Sequence, residues 1–437
     1  MKKVVILTRA FPPSNKTAAF RVYYWTKHLH KFGYYPIIVT RNWDRILSKE
    51  EEIRLPTGDK VEHKKFENFE VFYLPFPGSV LDRFNNKFNC HDSFLSKMVG
   101  VFQFIFGECL LISPNKIPYL FLVDYLKKNP DINKMIISGP PFTYFYIGYK
   151  LKRKFPLLSW IADYRDEWNT SGLISNVQYS KKWQKFLSAF KESGLKKEKR
   201  WLSNSSAFIA VSNNGKKNIS ELINSETGTL IPNGFDDEDF KNLKTEKVLF
   251  SEFTITYSGW LYESQEIEIF FDGVKLFLNR LIDEQPRFKI IFIGGNYFPG
   301  MQERIRKNMF GFERFYELTN FLSKVESIEI QMRSHLLLMS AHKGQADIPS
   351  SKLYEYIGTE KLVLCCPPDN GIVTETLEST GQGIFCQTAK DTCDRLFKLY
   401  KDYKNDKPLI PQMNRESKNK YSRNHGLKIL ADLLNSI

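Results

Sequence analysis

The sequence lacks the short motifs that mark several common enzyme and metal-binding classes. Its six cysteines show no CxxC spacing, so the usual zinc and redox motifs are absent. No GxGxxG follows the first apolar segment, and no GxxxxGK[ST] occurs. The sequence therefore lacks the main signatures of a nicotinamide-dependent Rossmann enzyme and of a P-loop nucleoside triphosphatase. We predict no metal ligand and no resident cofactor.

Long apolar runs are missing as well. The apolar stretch at residues 4–7 ends at Arg9 and two prolines, too soon for a signal peptide, and predicts a first strand. The longest apolar region, residues 98–112, is too short to span a bilayer. We expect a buried helix there, with a membrane-dipping helix as the alternative. Cys365 and Cys366 lie in an apolar run typical of a buried strand, which indicates a reducing, cytoplasmic compartment.

Aromatic side chains and positive charge are abundant. The 437 residues include 36 Phe and 21 Tyr, and 42% are hydrophobic, which excludes a disordered chain. This length predicts two large or three small domains. The 63 Lys and Arg exceed the 49 Asp and Glu, giving a net charge of +14. Such a surplus attracts nucleic acid, anionic lipid headgroups or phosphorylated small molecules, and charge alone does not choose among them.

The apolar pattern predicts stacked βα units and parallel sheets. Ten short runs read as strands, and each is followed by a stretch of helix length. The runs are residues 4–8, 36–40, 135–138, 158–162 and 207–212, then 253–258, 288–294, 335–340, 361–366 and 383–386. A turn-forming acidic stretch at residues 232–239 separates the two series and predicts a linker. We therefore expect an α/β protein of two Rossmann-like, doubly wound domains, residues 1–240 and 241–413, followed by a closing helix at 414–437.

Residues 347–355, DIPSSKLYE, form the segment most suggestive of a binding site. A proline followed by Ser350 and Ser351 predicts a helix start, and a helix N-terminus offers unpaired N–H groups to an anion. Lys352 in the first turn opposes the helix dipole, which indicates that it serves a phosphate. Glu355 lies one turn further on and suits sugar hydroxyls. The segment predicts a nucleotide-sugar pocket, with an ordinary helix cap and a solvated lysine as the alternative.

Residues 163–168, DYRDEW, place three carboxylates and one guanidinium directly after an apolar strand. A surface Asp–Arg pair is one interpretation. The other is a buried polar cluster at the ligand-binding edge of the sheet, which would orient an acceptor hydroxyl. In that case Asp163, Arg165 and Asp166 belong to the catalytic centre.

The segment that begins at Lys181 and ends at Arg200 contains eight cations and two acids. Its apolar residues recur at helical spacing, so it predicts a basic amphipathic helix. Such a helix docks reversibly on an anionic membrane surface. A domain helix with a solvated basic face is the equal alternative. Nucleic-acid binding has less support, because no DNA- or RNA-reading motif accompanies the cations.

These motifs follow the order found in a known family. Over almost its whole length the chain resembles a GT-B glycosyltransferase of family 4, in particular the bacterial branch that builds capsule, exopolysaccharide or lipopolysaccharide. The resemblance rests on FPP at residue 11, GPPF at 139, DYRDEW at 163, AVS at 210, IPNGFD at 231, YSG at 257 and PSSKLYEY at 349.

The resemblance implies a retaining transferase that needs no metal. The acceptor would bind the N-terminal domain, and a UDP- or GDP-linked donor sugar would bind the C-terminal domain. The family's E-x7-E motif corresponds to Asp347 and Glu355, which would contact the donor sugar and the nucleotide ribose. The closing helix from Asn414 would cross back to the first domain. The predicted catalytic residues are Asp347, Asp166, Asp163 and Arg165, and the predicted donor-binding residues are Glu355, Lys352, Ser350, Ser351, Gly259, Gly294 and Asn233.

Three features depart from the family pattern. Trp260 and Gln265 stand where the family often has an Arg and a Lys aimed at the diphosphate. The glycine-rich loop after the first strand is missing, and the usual cleft histidine has no counterpart. Lys352, Lys16 or Arg165 is then expected to supply the positive charge. The first hypothesis is a retaining glycosyltransferase that acts on a lipid-linked or growing polysaccharide at the cytoplasmic membrane face. The alternative is a catalytically inactive GT-B-like binding or scaffold protein.

Overall fold

The computed structural model describes residues 1–14, 17–43, 55–88, 93–105, 113–170, 181–241, 248–297, 299–344 and 350–437. These residues form two sheets and the helices that cover them. The strands are β1 (Lys2–Thr8), β2 (Tyr34–Arg41), β3 (Glu62–Lys65), β4 (Glu70–Leu74), β5 (Lys134–Gly139), β6 (Ser159–Tyr164), β7 (Ala207–Ala210), β8 (Gly228–Leu230), β9 (Phe253–Ser258), β10 (Phe288–Ile293), β11 (Tyr316–Leu318), β12 (Leu336–Met339), β13 (Leu362–Cys365) and β14 (Gly383–Phe385).

The α-helices in the same ranges vary from one turn to six. They are α1 (Thr17–His28), α2 (Val80–Phe88), α3 (Phe94–Ile105), α4 (Lys116–Lys128), α5 (Tyr144–Lys154), α6 (Lys181–Leu202), α7 (Asn213–Ile223), α8 (Glu238–Lys241), α9 (Glu268–Arg280), α10 (Pro299–Asn308), α11 (Lys324–Arg333), α12 (Ser351–Thr359), α13 (Ile372–Thr380), α14 (Ala389–Lys404), α15 (Arg415–Lys420) and α16 (Arg423–Ser436). Short 3-10 helices occur at Leu29–Phe32, Ile282–Glu284 and Glu313–Phe315.

The first sheet has the strand order β3-β4-β2-β1-β5-β6-β7-β8 and is parallel except where β3 pairs with β4. The chain builds outward from β1 through β2 and β4, and then returns to the other side of β1 with β5. Alternate residues of β1 pack into separate cores: Val5 and Leu7 on one face, Val4 and Ile6 on the other. A strand buried on both faces in this way explains why its sequence is a continuous apolar run.

The second sheet has the order β11-β10-β9-β12-β13-β14, with all neighbours parallel. Its strand order reverses between β9 and β12. Leu336 and Leu338 of β12 pack on one face, while Leu337 and Met339 pack on the other. In open sheets of this kind, ligands bind outside the carboxyl ends of the strands where the order reverses. The ends of β9 and β12 are therefore the first place to look for a site.

The chain forms two compact units. Unit 1 contains Met1–Pro232 and Leu427–Ile437, and unit 2 contains Asn233–Gly426. The division falls at Pro232 rather than near residue 240, because Phe235 of the expected linker and Phe240 directly after it are buried in the core of unit 2. Helix α16 begins in unit 2 and contributes Leu427, Leu430 and Leu434 to the core of unit 1.

All ten predicted strand segments are strands, which confirms the α/β prediction. Four strands were missed: β3, β4, β8 and β11. β3 is a fully exposed antiparallel edge strand with the sequence EHKK. β8 and β11 are three-residue edge strands without a fully buried residue. Since edge strands do not need apolar side chains on both faces, they leave little periodic signal.

Of the apolar region at residues 98–112, residues 98–105 lie in α3 and residues 106–112 lie outside the described residues. The prediction of a buried helix is wrong for the side chains described, those of residues 98–102. Phe94, Leu95, Met98 and Phe102 expose between 46% and 76% of their surface. α3 packs against α2, whose Phe88 is also exposed. The described helices include none that combines the length and apolarity needed to cross a membrane.

Candidate functional site

The loops that follow β9 and β12 are joined at the carboxyl edge of the second sheet. After β9, Gly259 turns the chain with φ +84°, a conformation that L side chains rarely adopt. Gln265 from the same loop is completely buried and donates from Nε2 to the carbonyl of Ser340, 2.5 Å away and directly after β12. In the part of the chain that is described, a Cβ added at Gly259 would meet no atom within 4 Å. The loops are fixed, yet the backbone at Gly259 is open to a ligand.

Lys352, in the first turn of α12, brings an amino group to the loop after β9. Its Nζ donates to the hydroxyl of Tyr257 at 2.5 Å and to the carbonyl of Trp260 at 3.2 Å, and lies 4.0 Å from the centre of the Tyr257 ring. Although the residue as a whole is half-buried, burial of the amine lowers its pKa to about 7, against the opposing attraction of Glu355. An anion that reached this amine would find a poorly hydrated positive charge.

Glu355 lies on the same face of α12, three residues further along. It is half-buried, and its Oε1 accepts a hydrogen bond from Nε2 of Gln331 at 2.6 Å. Burial raises the pKa of Glu355, while the Gln331 hydrogen bond acts in the opposite direction. One helix face thus carries a cation and a carboxylate, as the sequence predicts.

Gln265 does not replace the missing lysine of the family pattern. Its Oε1 accepts hydrogen bonds from the hydroxyl of Tyr257 and the backbone N–H of Tyr262, each at 3.0 Å, so the side chain is committed to holding the loop. The Lys352 amine, in contrast, lies against the carbonyl of Trp260. Of the three cations expected to compensate, Lys352 is therefore the one found at this loop. Lys16 lies outside the described residues.

Arg304 of α10 stabilises the same loop and was not identified from the sequence. Its guanidinium donates to both carboxylate oxygens of Glu268, at 2.6 and 2.7 Å. It also donates to the carbonyls of Tyr262 and Gln265, at 2.8 and 2.6 Å. The position of Arg304 in an ordinary polar helix gives no sequence signal for this role. A loop held by so many fixed donors presents its exposed side chains in a defined geometry.

In unit 1, the predicted buried polar cluster at the end of β6 is present. Asp163 is completely buried, and its two oxygens accept hydrogen bonds from Arg21 at 3.1 Å and from Ser138 at 2.7 Å. Arg165 donates to the carbonyls of Gly139, Pro140 and Ala18, at 2.6–2.8 Å. These groups fix the loop after β5 and the start of α1. Both side chains are engaged within the protein, and their catalytic role stays a prediction.

Asp166 is the member of this cluster that remains exposed. Its pKa is nevertheless raised, chiefly because surrounding protein atoms displace water from the carboxyl. Arg165 lowers the same pKa and Asp163 raises it further. Asp166 is therefore the better placed of the two aspartates to contact a ligand at this edge of the first sheet.

The remaining predicted residues are distributed as follows. Gly294 ends β10 with φ +81°, and its N–H donates to the Thr319 hydroxyl at 3.0 Å. Ser350 caps α12 through its backbone only, and Ser351 is exposed. Asn233 is half-buried at the start of unit 2. Asp347 lies outside the described residues.

Among the described residues, no group of three or more His, Cys, Asp or Glu side chains could hold a metal ion.

Comparison with known proteins identifies the fold. No protein-family model matches the sequence, and no curated protein matches it. A sucrose-phosphate synthase of Thermosynechococcus elongatus matches with a TM-score of 0.63 and 12% identity, over 100% of this chain and 99% of that one. A UDP-forming trehalose-phosphate synthase of Burkholderia vietnamiensis matches with a TM-score of 0.61 and 10% identity, over 100% and 98%. Anabaena HepE in complex with UDP-glucose matches with a TM-score of 0.55 and 11% identity, over all of both chains. The chain therefore has the GT-B fold, as its motif order predicts.

Proposed function

We propose that this protein is a glycosyltransferase that transfers a sugar from a nucleoside diphosphate to an acceptor. The observation that carries the proposal is the pairing of Lys352 and Glu355 on one face of α12, where the strand order of the second sheet reverses. A desolvated amine suits a diphosphate, and a half-buried carboxylate one turn away suits the ribose hydroxyls. The UDP-glucose bound by HepE, a protein of the same fold, supports this class of donor.

The proposed chemistry involves a donor sugar, a leaving diphosphate and an acceptor hydroxyl. The bond between the sugar anomeric carbon and the diphosphate oxygen breaks, a bond from that carbon to the acceptor oxygen forms, and the acceptor proton passes to the departing nucleoside diphosphate. Negative charge grows on the leaving diphosphate, and protonated Lys352 stabilises it. Asp347 contacts the donor sugar, and Asp166 is the proposed partner of the acceptor hydroxyl. By the resemblance to family 4, the transfer retains anomeric configuration and needs no metal.

We infer further that the acceptor is a lipid-linked or growing polysaccharide at the cytoplasmic face of a membrane, and that attachment to the membrane is peripheral. Helix α6 runs from Lys181 to Leu202, and its Lys196, Lys199 and Arg200 are exposed. Its Glu198, in contrast, is buried and accepts from the Tyr164 hydroxyl at 2.8 Å. Among residues 191–202, the part of α6 whose side chains are described, the exposed charged residues are thus Lys196, Lys199 and Arg200 against the single acid Glu192. The exposed apolar side chains of α3 also support peripheral attachment to a membrane, because such side chains can enter the headgroup region.

A donor screen tests the proposed function directly. A ligand that binds only the folded protein stabilises it by RT ln(1 + [L]/Kd), so thermal shift finds the donor without knowledge of the acceptor. At least one UDP- or GDP-sugar should raise Tm, and a membrane lipid extract should then release the nucleoside diphosphate. If no nucleotide sugar is bound and none is cleaved, the proposal is wrong.

Replacing Glu355 with alanine should raise the donor KM by about 10- to 100-fold, because a hydrogen bond to a charged carboxylate contributes about 1.5–3 kcal/mol. Glu355 is half-buried near a helix start, so Tm should change by only a few degrees. Initial rates at varied donor concentration and a thermal melt measure both. The matched control is Glu329→Ala in α11, which removes a carboxylate elsewhere in the same unit. An unchanged KM would remove Glu355 from the donor site.

A non-catalytic GT-B binding protein is the second candidate. It is favoured by the commitment of Gln265 to the loop interior and by the indole of Trp260 at the place of the family's arginine. Calorimetry separates the candidates. Tight nucleotide-sugar binding without turnover, in the presence of a lipid extract and of glycan acceptors, would favour the binding protein.

A further inference from the structure

Two aromatic rings lie exposed on the loop that follows β9. Trp260 exposes 43% and Tyr262 exposes 48% of its surface. Their ring centres are 5.4 Å apart and their planes differ by 12°, so the rings stack nearly parallel. The ring of His342, from the segment after β12, lies 5.3 Å from that of Tyr262. We call Trp260 and Tyr262 the aromatic platform.

The aromatic platform stands on a rigid base. The carbonyl of Tyr262 accepts from Arg304, and its N–H donates to the fully buried Gln265. The carbonyl of Trp260 accepts from Lys352. Large aromatic side chains gain stability by leaving water, and these two are held in fixed positions while nearly half exposed. Rigid, partly exposed aromatic side chains next to a polar group are characteristic of ligand-binding surfaces.

The neighbours of the aromatic platform indicate which part of a ligand it meets. Glu355, Lys352 and Trp260 follow one another from the middle of α12 to its first turn and on to the adjoining loop. If Glu355 binds the ribose and Lys352 the diphosphate, the next group along the ligand is the sugar on the far side of the diphosphate. A pyranose ring has one or two faces of C–H groups, and such apolar faces pack on aromatic rings.

We propose that the aromatic platform formed by Trp260 and Tyr262 binds the pyranose ring of the nucleotide-sugar donor. The proposal rests on the proposed function and adds a sugar-recognition subsite to it. The indole thus supplies sugar contact at a position where the family pattern supplies phosphate contact, while the Lys352 amine retains the positive charge. Discrimination between a bare nucleoside diphosphate and a nucleotide sugar then depends on Trp260.

Calorimetry with matched ligands tests this subsite. The probes are UDP, UDP-glucose, GDP and GDP-mannose, together with any other nucleotide sugar that the donor screen identifies. For wild type, the nucleotide sugar should bind more tightly than its own nucleoside diphosphate. Trp260→Ala should reduce this preference, the ratio of the Kd of the bare diphosphate to that of the nucleotide sugar, by roughly tenfold. The Kd of the bare diphosphate should stay within about twofold of wild type. Trp260→Phe, which keeps an aromatic face, should retain most of the preference. Phe310→Ala is the matched control, because Phe310 is an aromatic residue of the same unit that is 82% exposed.

The possible outcomes separate the two proposals. A preference for the nucleotide sugar that survives in Trp260→Ala overturns the aromatic platform and leaves the proposed function standing. Equal weakening of diphosphate and nucleotide sugar also overturns it, since the indole would then act on the nucleotide or on folding. No preference in the wild type overturns it as well. Failure of the wild type to bind any nucleotide sugar overturns both proposals.

Discussion

Replacing Lys352 with methionine should lower kcat/KM for the nucleotide sugar by about 100- to 1000-fold, the range found when one fixed donor to a developing negative charge is removed. The amine lies at the loop after β9, where the expected Arg and Lys are absent. Methionine keeps most of the length of the side chain without its charge. Since the variant removes a charge held away from water, its Tm should equal or exceed that of wild type. Steady-state kinetics and thermal melts measure both quantities.

The pH dependence of donor binding provides an independent test of the same residue. Lys352 has a pKa of about 7 in the folded protein and 10.5 as an ordinary lysine. Between these values the unfolded chain binds more protons, so the free energy of unfolding rises with pH across this window. A bound diphosphate favours the protonated amine, so donor binding takes up a proton and weakens by up to about tenfold per pH unit above 7. Among the described residues, the titratable groups around the amine include Glu355, Tyr257 and His342. Burial raises the pKa of Tyr257 and lowers the pKa of His342, so both of these groups are neutral in this range.

Two further variants control these results. Lys352→Arg keeps its charge throughout, so its donor affinity should be independent of pH between 7 and 9. Lys307→Met removes an exposed lysine from the same unit and should leave kcat/KM and pH dependence unchanged. If Lys352→Met retained wild-type turnover, the diphosphate would have to bind elsewhere.

Replacing Asp163 with alanine should lower the free energy of unfolding by about 3–5 kcal/mol, because it leaves the buried guanidinium of Arg21 without its carboxylate. Arg21 and Asp163 expose 8% and 0% of their side chains. Arg21 also donates to the carbonyl of Pro232, the last residue of unit 1 before the chain enters unit 2. Chemical denaturation followed by tryptophan fluorescence measures the loss.

The double variant Arg21→Met/Asp163→Leu should recover much of this stability, because it removes both buried charges together. Asp131→Ala breaks an exposed pair with Lys3 and should change the free energy of unfolding by no more than about 1 kcal/mol. An Asp163→Ala protein with normal stability but no turnover would instead support the catalytic role predicted from the sequence.

Except for the edge strand β14, the predicted strands were predictable because each lies between parallel neighbours and is covered on both faces. This environment requires an apolar run that is visible in the sequence. The role of Lys352 could also be suggested from the sequence, because a lysine in the first turn of a helix opposes the helix dipole. The apolar residues of α3 were misread as core, because an apolar helix face has the same period whether it packs on protein or stays exposed.

The partners of the site residues were not predictable. Lys352 and the Trp260 carbonyl are 92 residues apart, and Arg21 and Asp163 are 142 apart. A hydrogen bond between residues so far apart in the sequence leaves no local pattern in either segment. For the same reason, Gln265 could be recognised as a departure from the family, but its burial and its bonds to Tyr257 and Ser340 could not.

The sequence by itself determined the α/β class, the ten predicted strands and the helix face that carries Lys352 and Glu355, since all of these depend on the spacing of residue types along a short segment. Only the tertiary structure decided which of these residues meet. It turned the chain at Gly259, brought Lys352 to the loop after β9, and enclosed Asp163 with Arg21 and Ser138. Strand order, and not sequence spacing, selects which loop ends become neighbours.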